Sequence, residues 1–273
     1  MCETCGCTIT PANAHLVKAD GKLGHTAEGR ATVEVLASLL HENDHQAAHN
    51  REHFDRHGVL TVNLMSAPGS GKTSLLEATI DALAGEFSIA VIEGDLETEN
   101  DAERIRAHGV PAVQITTGQA CHLDAHMVHD ALHRLELNGT DLDGIDLLFI
   151  ENVGNLVCPA SFDLGHHLNV ALLSVTEGDD KPAKYPVMFR AADLVLLSKA
   201  DFLDLIDDFD PAKAARHVRE LANPAAVLAV SARRPDSLRP WFDWLRAMAQ
   251  ARRAGAALTP RTRADGAALH GGG

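Results

Sequence analysis

The sequence contains few aromatic residues, an excess of negative over positive charge, and no long apolar run. Phe, Tyr and Trp make up 4% of the 273 residues, and the formal net charge at pH 7 is −14. No segment approaches the roughly 18–20 uninterrupted apolar residues that cross a bilayer. The acidic balance disfavours a nucleic-acid-binding protein, which needs a basic face. At 45% apolar residues, the composition is that of a globular protein.

Cysteine is also scarce, but its placement is uneven. Three of the five cysteines fall within the first seven residues, whereas histidine is abundant, with 16 residues. The N-terminus lacks the basic and apolar regions of a secretory signal. We therefore expect a cytoplasmic protein, because clustered thiols in the reducing cytosol bind metal more often than they form disulfides.

Hydrophobic periodicity predicts three parts. Residues 1–30 show no sustained apolar period, and we predict that they form a flexible arm that carries the N-terminal cysteines. Residues 251–273 are rich in Ala, Gly and Arg, and we predict that they form a disordered tail. Residues 31–250 predict one α/β domain with a leading helix over 31–57. Six apolar runs follow that helix and alternate with helical segments, at 59–65, 87–92, 145–150, 169–175, 193–198 and 225–230. Strands that are apolar on both faces predict a mostly parallel central sheet with helices on both faces.

A phosphate-binding loop follows the first predicted strand. Its sequence, S-A-P-G-S-G-K-T, matches G-x-x-x-x-G-K-[ST] except that Ser66 replaces the first glycine. Backbone amides in such a loop surround phosphate oxygens at the positive end of a helix. Lys72 would reach the β- and γ-phosphates, and the Thr73 hydroxyl would bind Mg²⁺. The predicted nucleotide-binding residues here are Gly69, Ser70, Gly71, Lys72, Thr73 and Ser74.

Acidic residues stand at the ends of two further predicted strands. Asp95 closes the second run, Asp101 follows six residues later, and Glu151 closes the I-D-L-L-F-I run. Ligands bind at the carboxyl edge of an open parallel sheet, so these carboxylates should face the phosphate loop. We predict that Asp95 and Glu151 position Mg²⁺ or water and that the Gly154 amide senses a γ-phosphate. Together with Lys72 these residues form the predicted catalytic set.

The identity of the base is indicated by two later loops. The sequence S-K-A-D at 198–201 resembles the guanine-binding N-K-x-D element, with Ser198 in place of asparagine. Lys199 and Asp201 are therefore predicted to bind the base, and Ser231 and Ala232 to form the second guanine loop. These residues favour GTP over ATP. An ATP-dependent metal carrier remains an alternative that nucleotide competition would test.

Two groups of cysteines suggest metal binding. Cys2, Cys5 and Cys7 supply three soft ligands suited to Ni²⁺, Zn²⁺ or Cu⁺. Cys121 and His122 open a predicted helix, and Cys158 follows the Glu151 loop. If the two loops meet, these three residues form a second site. As spacing alone this is a weak signal, because a lone cysteine is usually a small buried apolar residue.

Histidines recur at helical spacing on two predicted helices, at His41, His45, His49, His53 and His57 and at His122, His126, His129 and His133. Two interpretations stay open. Imidazoles four residues apart on a helix can share a metal ion, and such rows also occur as half-solvated helix faces.

Taken together, the motifs resemble the hydrogenase nickel-incorporation GTPase family, HypB, one of the dimerising P-loop GTPases. The similarity runs from about Asn43 to Ser231 and includes the N-terminal cysteines. Among the matching segments are E-G-D-L-E-T-E-N-D-A-E-R, T-T-G-Q-A-C-H-L-D-A-H and E-N-V-G-N-L-V-C-P-A. The long histidine tract of many members is absent.

The resemblance implies GTP hydrolysis, GTP-dependent homodimers and nickel delivery to the [NiFe]-hydrogenase large subunit with a HypA-type chaperone. We expect slow intrinsic hydrolysis, because the sequence has no recognisable arginine finger or water-orienting glutamine. It assigns nickel to the N-terminal cysteines and Ni²⁺ or Zn²⁺ to Cys121, His122 and Cys158. Two alternatives remain. A urease accessory GTPase is disfavoured by the cysteine motifs, and a passive nickel or zinc storage protein is disfavoured by the intact Lys72 and Thr73.

Overall fold

A computed structural model describes residues 30–95, 100–118 and 120–258, with side chains from residue 40 onward. Cys2, Cys5 and Cys7 and the rest of the predicted arm up to residue 29 lie outside the described residues. Residues 259–273 of the predicted tail lie outside them too.

A parallel sheet of seven strands forms the centre of the molecule. The strands are β1 (Leu60–Ser66), β2 (Ile89–Asp95), β3 (Ala112–Thr116), β4 (Leu147–Glu151), β5 (Leu168–Ser174), β6 (Leu194–Ser198) and β7 (Ala226–Ala229). They lie in the order β3-β2-β4-β1-β5-β6-β7, and every neighbouring pair is parallel. This confirms the predicted fold class. The edge strand β3 was not predicted, because A-V-Q-I-T is short and interrupted by a polar residue.

Eight α-helices surround the sheet in the described part of the chain. They are α1 (Arg30–Arg56), α2 (Lys72–Leu83), α3 (Asn100–Ala107), α4 (Ala125–Leu137), α5 (Lys181–Lys184), α6 (Pro186–Ala191), α7 (Pro211–Glu220) and α8 (Arg239–Arg253). None of the described helices is both long and apolar enough to span a membrane.

The helices pack on both faces because successive strand residues point to opposite sides. Val62 and Leu64 of β1 join the core formed with α2 and α8, whereas Met65 joins the core formed with α6 and α7. Trp241 of α8 is fully buried, and its indole nitrogen donates to the Thr79 hydroxyl at 2.9 Å. Both faces of the sheet are therefore covered, as its apolar strands require.

The leading helix α1 is tied to the first residue of α4. The Asn43 side chain accepts a hydrogen bond from the Ala125 amide at 2.9 Å, and the Asn50 side chain donates to the Ala125 carbonyl at 2.8 Å. Both asparagines are buried, and Phe54 on the same helix is fully buried. Because buried amides are costly to leave unpaired, these contacts fix α1 relative to α4.

The last helix extends past the predicted domain boundary at residue 250. Helix α8 continues to Arg253, so residues 251–253 are helical rather than part of a tail. Arg252 donates to Asp55 and Arg253 to Asp146, each at 2.6 Å. These two ion pairs attach the last residues of the helix to the rest of the domain. The composition of the segment did not indicate this attachment.

Candidate nucleotide and metal site

The phosphate loop connects β1 to α2 with two glycines in the left-handed region. Gly69 has φ 71° and Gly71 has φ 91°, a conformation that favours glycine. The Lys72 ammonium is buried and donates to the Ser66 hydroxyl at 3.0 Å. Ser66, the departure from the consensus, therefore contacts the lysine of the motif.

A cavity of about 500 Å³ opens beside this loop. It is lined by the predicted Gly69, Gly71, Lys72, Thr73, Ser74, Asp95, Asp101, Glu151, Gly154 and Lys199. Ser70 lies between lining residues and is buried. Arg104, which sequence reasoning missed, also lines the cavity and is held by Glu77 at 2.7 Å and Asp101 at 2.8 Å.

Two buried glutamates share the floor of the cavity. Glu93 on β2 is directly opposite Glu151 on β4, and the two carboxyl groups form a hydrogen bond. Burial, followed by the charge of Glu151, raises the pKa of Glu93 well above its ordinary value. Burial also raises the pKa of Glu151, but Lys72 at 3.9 Å and the Thr73 hydroxyl at 3.0 Å oppose this rise by stabilising its charged form. Glu93 is thus the protonated partner. The sequence analysis predicted Asp95 of this segment as a site residue and missed Glu93.

One oxygen of each glutamate, Oε2, is buried without a hydrogen-bond partner. The Glu151 oxygen, the Thr73 hydroxyl and the Asp95 carboxylate line the same cavity and form a donor set of the kind that Mg²⁺ prefers. The residues therefore fit a magnesium ion.

The buried Glu93 predicts a pH effect on the nucleotide-free protein. An acid whose folded-state pKa is raised destabilises the fold as pH rises above the unfolded value, near 4.5, towards the folded value. Across that window the wild type should lose up to about 1.4 kcal/mol per pH unit more than Glu93→Gln. Thermal unfolding in a chelator between pH 5 and pH 8 measures this difference.

The matched control is Glu103→Gln, an exposed glutamate on α3. It should follow the wild-type pH dependence. Parallel stability curves for wild type and Glu93→Gln would show that Glu93 titrates as it does in the unfolded chain.

Gly154 lies directly against the phosphate loop. A Cβ atom at this position would stand 2.8 Å from the Pro68 Cα, so no side chain fits without moving one of the two backbones. This close contact brings the predicted γ-phosphate sensor beside Lys72 and Thr73.

The predicted base-binding loops lie at the ends of β6 and β7. Lys199 has a left-handed backbone with φ 55°, and Ser231 donates to Asp201 at 2.6 Å, which lowers the pKa of Asp201. Ala232 follows Ser231 in the same turn. The buried Ser198 hydroxyl donates to the Ser70 carbonyl at 2.7 Å and so connects this loop to the phosphate loop.

Three predicted metal ligands converge at the same sheet edge. Sγ of Cys121 lies 3.2 Å from Sγ of Cys158 and 3.7 Å from Nδ1 of His122. One ligand atom from each residue lies within 4.8 Å of the others. Burial lowers the pKa of His122 to about 4, so its ring is neutral at neutral pH. Two thiols and a neutral imidazole suit Ni²⁺ or Zn²⁺.

The prediction that Cys121 and His122 open a helix is wrong. Helix α4 begins at Ala125, and Asp124 caps it by accepting from the Met127 amide at 2.8 Å. An N-cap residue has an extended backbone, so the two ligands before it lie in a loop. The loop lets both side chains turn towards Cys158.

Asn152 connects the two parts of the site. It directly follows Glu151, and its side-chain oxygen accepts from the Leu123 amide at 3.2 Å, next to His122. Its side-chain nitrogen donates to Asn63 on β1 at 3.2 Å, and Asn63 donates to Asn169 on β5 at 2.9 Å. A buried amide network therefore connects the sheet under the phosphate loop with the metal loop.

Comparisons with known proteins show which family the chain resembles. Residues 60–228 match the family model "CobW/HypB/UreG, nucleotide-binding domain". The hydrogenase maturation factor HypB of Azotobacter vinelandii is 54% identical over 213 residues, which cover 78% of this chain and 68% of that protein. The hydrogenase/urease maturation factor HypB of Helicobacter pylori is 44% identical over 213 residues, which cover 78% of this chain and 86% of that protein.

A solved structure shows the same similarity. The crystal structure of HypB from Helicobacter pylori in complex with nickel has a TM-score of 0.74 and 43% sequence identity. It covers 79% of this chain and 97% of that one.

Proposed function

Because the chain belongs to the HypB group of the CobW/HypB/UreG family, we propose that it is a GTP-hydrolysing nickel metallochaperone. In this proposal it delivers nickel during maturation of the [NiFe]-hydrogenase large subunit. The observation that carries the proposal is the cluster of Cys121, His122 and Cys158. Leu123, the residue after His122, donates to the side chain of Asn152, which directly follows Glu151. A phosphate site and a soft-metal site thus share one buried polar connection.

In GTP hydrolysis, Lys72 and the loop amides hold the β- and γ-phosphates, and the Gly154 amide contacts the γ-phosphate. Thr73, Glu151 and Asp95 would hold Mg²⁺, which, when bound, neutralises charge on the transferred phosphoryl group. Glu151 is the ionised carboxylate beside Lys72, whereas Glu93 keeps its proton. Intrinsic hydrolysis is slow in this proposal. Arg104 lines the cavity, but its guanidinium pairs with Glu77 and Asp101 and so does not serve as an arginine finger on the transferred phosphoryl group.

Guanine selection is proposed for Lys199 and Asp201, with Ser231 and Ala232 supporting the base. The hydrogen bond from Ser198 to the Ser70 carbonyl supports this assignment, because it holds the base loop against the phosphate loop without the usual asparagine.

Nickel is the proposed cargo of the cysteine sites, and Zn²⁺ is an alternative occupant of the Cys121 site. We further propose a cytoplasmic, GTP-dependent homodimer that works with a HypA-type chaperone and uses Cys2, Cys5 and Cys7 as a second nickel site. Urease maturation is the second candidate function, because a relative of 44% identity is a hydrogenase/urease maturation factor.

The proposal predicts that nucleotide state changes nickel affinity at the Cys121 site. Any movement of Glu151 or Gly154 on γ-phosphate binding reaches the Leu123 backbone through Asn152. Coupling of this kind is usually about 5- to 150-fold. Calorimetric Ni²⁺ titrations with GDP and with a non-hydrolysable GTP analogue, in a chain with Cys2, Cys5 and Cys7 replaced by serine, measure it.

Asn152→Ala should bring the two nickel affinities together while the chain still binds both ligands. Asn138→Ala, an exposed residue at the end of α4, serves as the matched control and should keep the difference. Equal nickel affinities in both nucleotide states of the otherwise unaltered chain would contradict the proposed coupling.

A further inference from the structure

A row of imidazoles and one carboxylate runs along the contact between α1 and α4. We call it the histidine seam, and it consists of His49, His53, His129, His133 and Glu136. The His49 and His129 rings meet across the two helices with centroids 5.2 Å apart. Nε2 of His53 lies 3.5 Å from Oε1 of Glu136. The seam therefore joins residues of both helices.

Two imidazoles of the seam already have the spacing of metal ligands. His129 and His133 stand four residues apart on α4, and their Nε2 atoms lie 3.1 Å from each other. Two nitrogens that each lie about 2.0–2.1 Å from a common ion are separated by about 2.9–3.4 Å in tetrahedral or square geometry. The observed separation falls within that range.

The carboxylate orients one of these rings. Nδ1 of His133 lies 3.2 Å from Oε2 of Glu136, one turn further along the helix. A carboxylate on one ring nitrogen fixes the tautomer, because that nitrogen must carry the proton. The lone pair of His133 is then on Nε2, which faces His129.

A third imidazole stands on the facing helix but does not complete the pair. His49 is exposed, and its Nδ1 lies 3.5 Å from the side-chain nitrogen of Gln46. Because that nitrogen can only donate, the proton of the His49 ring is on Nε2. Within the described residues, His49 also does not bring a ligand atom within 4.8 Å of both other imidazoles.

We propose that His129 and His133, with Glu136 as positioning residue, form a binding site for a divalent transition-metal ion. Imidazole ligands suit Ni²⁺ and Zn²⁺ and disfavour Mg²⁺. The site is open, since 57% of the His133 side chain is exposed, so bound metal exchanges with solvent. It is separate from the Cys121 site and does not depend on nucleotide hydrolysis.

Metal titration without nucleotide tests this site. The full chain with all five cysteines replaced by serine is titrated with Ni²⁺ alone by calorimetry, and histidine ring protons are followed by NMR. We expect one bound ion per chain and broadening of the His129 and His133 signals. His129→Ala/His133→Ala should abolish this binding, and Glu136→Gln should weaken it about tenfold without changing the stoichiometry.

The control is His217→Ala. His217 also pairs with a glutamate three residues on, at 2.9 Å from Glu220, and among the described residues it contacts no second imidazole. It should bind Ni²⁺ as the parent chain does. If the cysteine-free chain does not fold, the chain with its native cysteines should lose one Ni²⁺ equivalent on His129→Ala/His133→Ala. An unchanged stoichiometry of the double variant in a folded background overturns the proposal.

Discussion

Lys72→Ala is expected to lower kcat for GTP hydrolysis at least about a hundredfold, as loss of a positioned charge on the developing phosphate does. The Lys72 ammonium is buried between the Ser66 hydroxyl and Glu151, at 3.0 Å and 3.9 Å. Its position beside the Gly71 backbone leaves it facing the cavity where phosphates would bind. Steady-state phosphate release from GTP measures the effect.

A second consequence follows for the nucleotide-free protein. The charge of Lys72 is the strongest stabilising influence on the Glu151 carboxylate, which burial destabilises. Its removal should raise the pKa of Glu151 and leave Glu93 and Glu151 competing for protons without a nearby cation. The fall in unfolding temperature between pH 5 and pH 8 should therefore be larger for Lys72→Ala than for the wild type.

The matched control is Lys213→Ala, an exposed lysine on α7 that pairs with Asp179 at 2.8 Å. It should hydrolyse GTP at the wild-type rate. Repeating the assay with ATP separates the GTPase from an ATP-dependent carrier. Hydrolysis by Lys72→Ala at the wild-type rate would contradict the proposed phosphate site.

Cys158→Ser is expected to lower nickel affinity at the internal site about a hundredfold. In four-ligand structural zinc sites, a binding free energy of roughly 10–16 kcal/mol corresponds to about 3 kcal/mol per ligand. A loss of that size is about two orders of magnitude in affinity. Serine keeps the size of the side chain but removes the soft sulfur that lies 3.2 Å from Cys121. Competition against a chromophoric nickel chelator measures the change, with Cys2, Cys5 and Cys7 replaced by serine.

Val157→Ser provides the comparison, because it places the same residue beside Cys158 at a position that is 58% exposed. Its nickel affinity should not change. GTP hydrolysis measured with Mg²⁺ and without Ni²⁺ should be the same in both variants. An internal nickel site that survives Cys158→Ser at full affinity would exclude Cys158 as a ligand.

The phosphate loop could be predicted from the sequence because its parts are consecutive. The motif from Ser66 to Thr73 needs only a preceding strand and a following helix, and the structure has both in β1 and α2. The parallel sheet was likewise predictable from its continuous apolar runs. In these cases, local pattern and three-dimensional arrangement carry the same information.

Other features depend on pairing between distant segments. Glu93 is buried because β2 lies beside β4 and places it opposite Glu151, which nothing in the E-G-D segment reveals. Cys121 and Cys158 are 37 residues apart, so their contact depends on how two loops fold at one sheet edge. Asn152 carried no local signal either, because an asparagine in a loop usually faces water.

The attachment of α1 has a consequence for dividing the chain into fragments. A fragment that begins at β1 would lose the Asn43 and Asn50 side chains, which leaves the Ala125 amide without its acceptor and removes the side-chain hydrogen bond to the Ala125 carbonyl. It would also open the space that Phe54 fills beneath α4. Because Ala125 lies four residues after Cys121, the metal loop would lose its support on one side. A minimal domain of this protein should therefore begin before Asn43, even though the matched family model starts at residue 60.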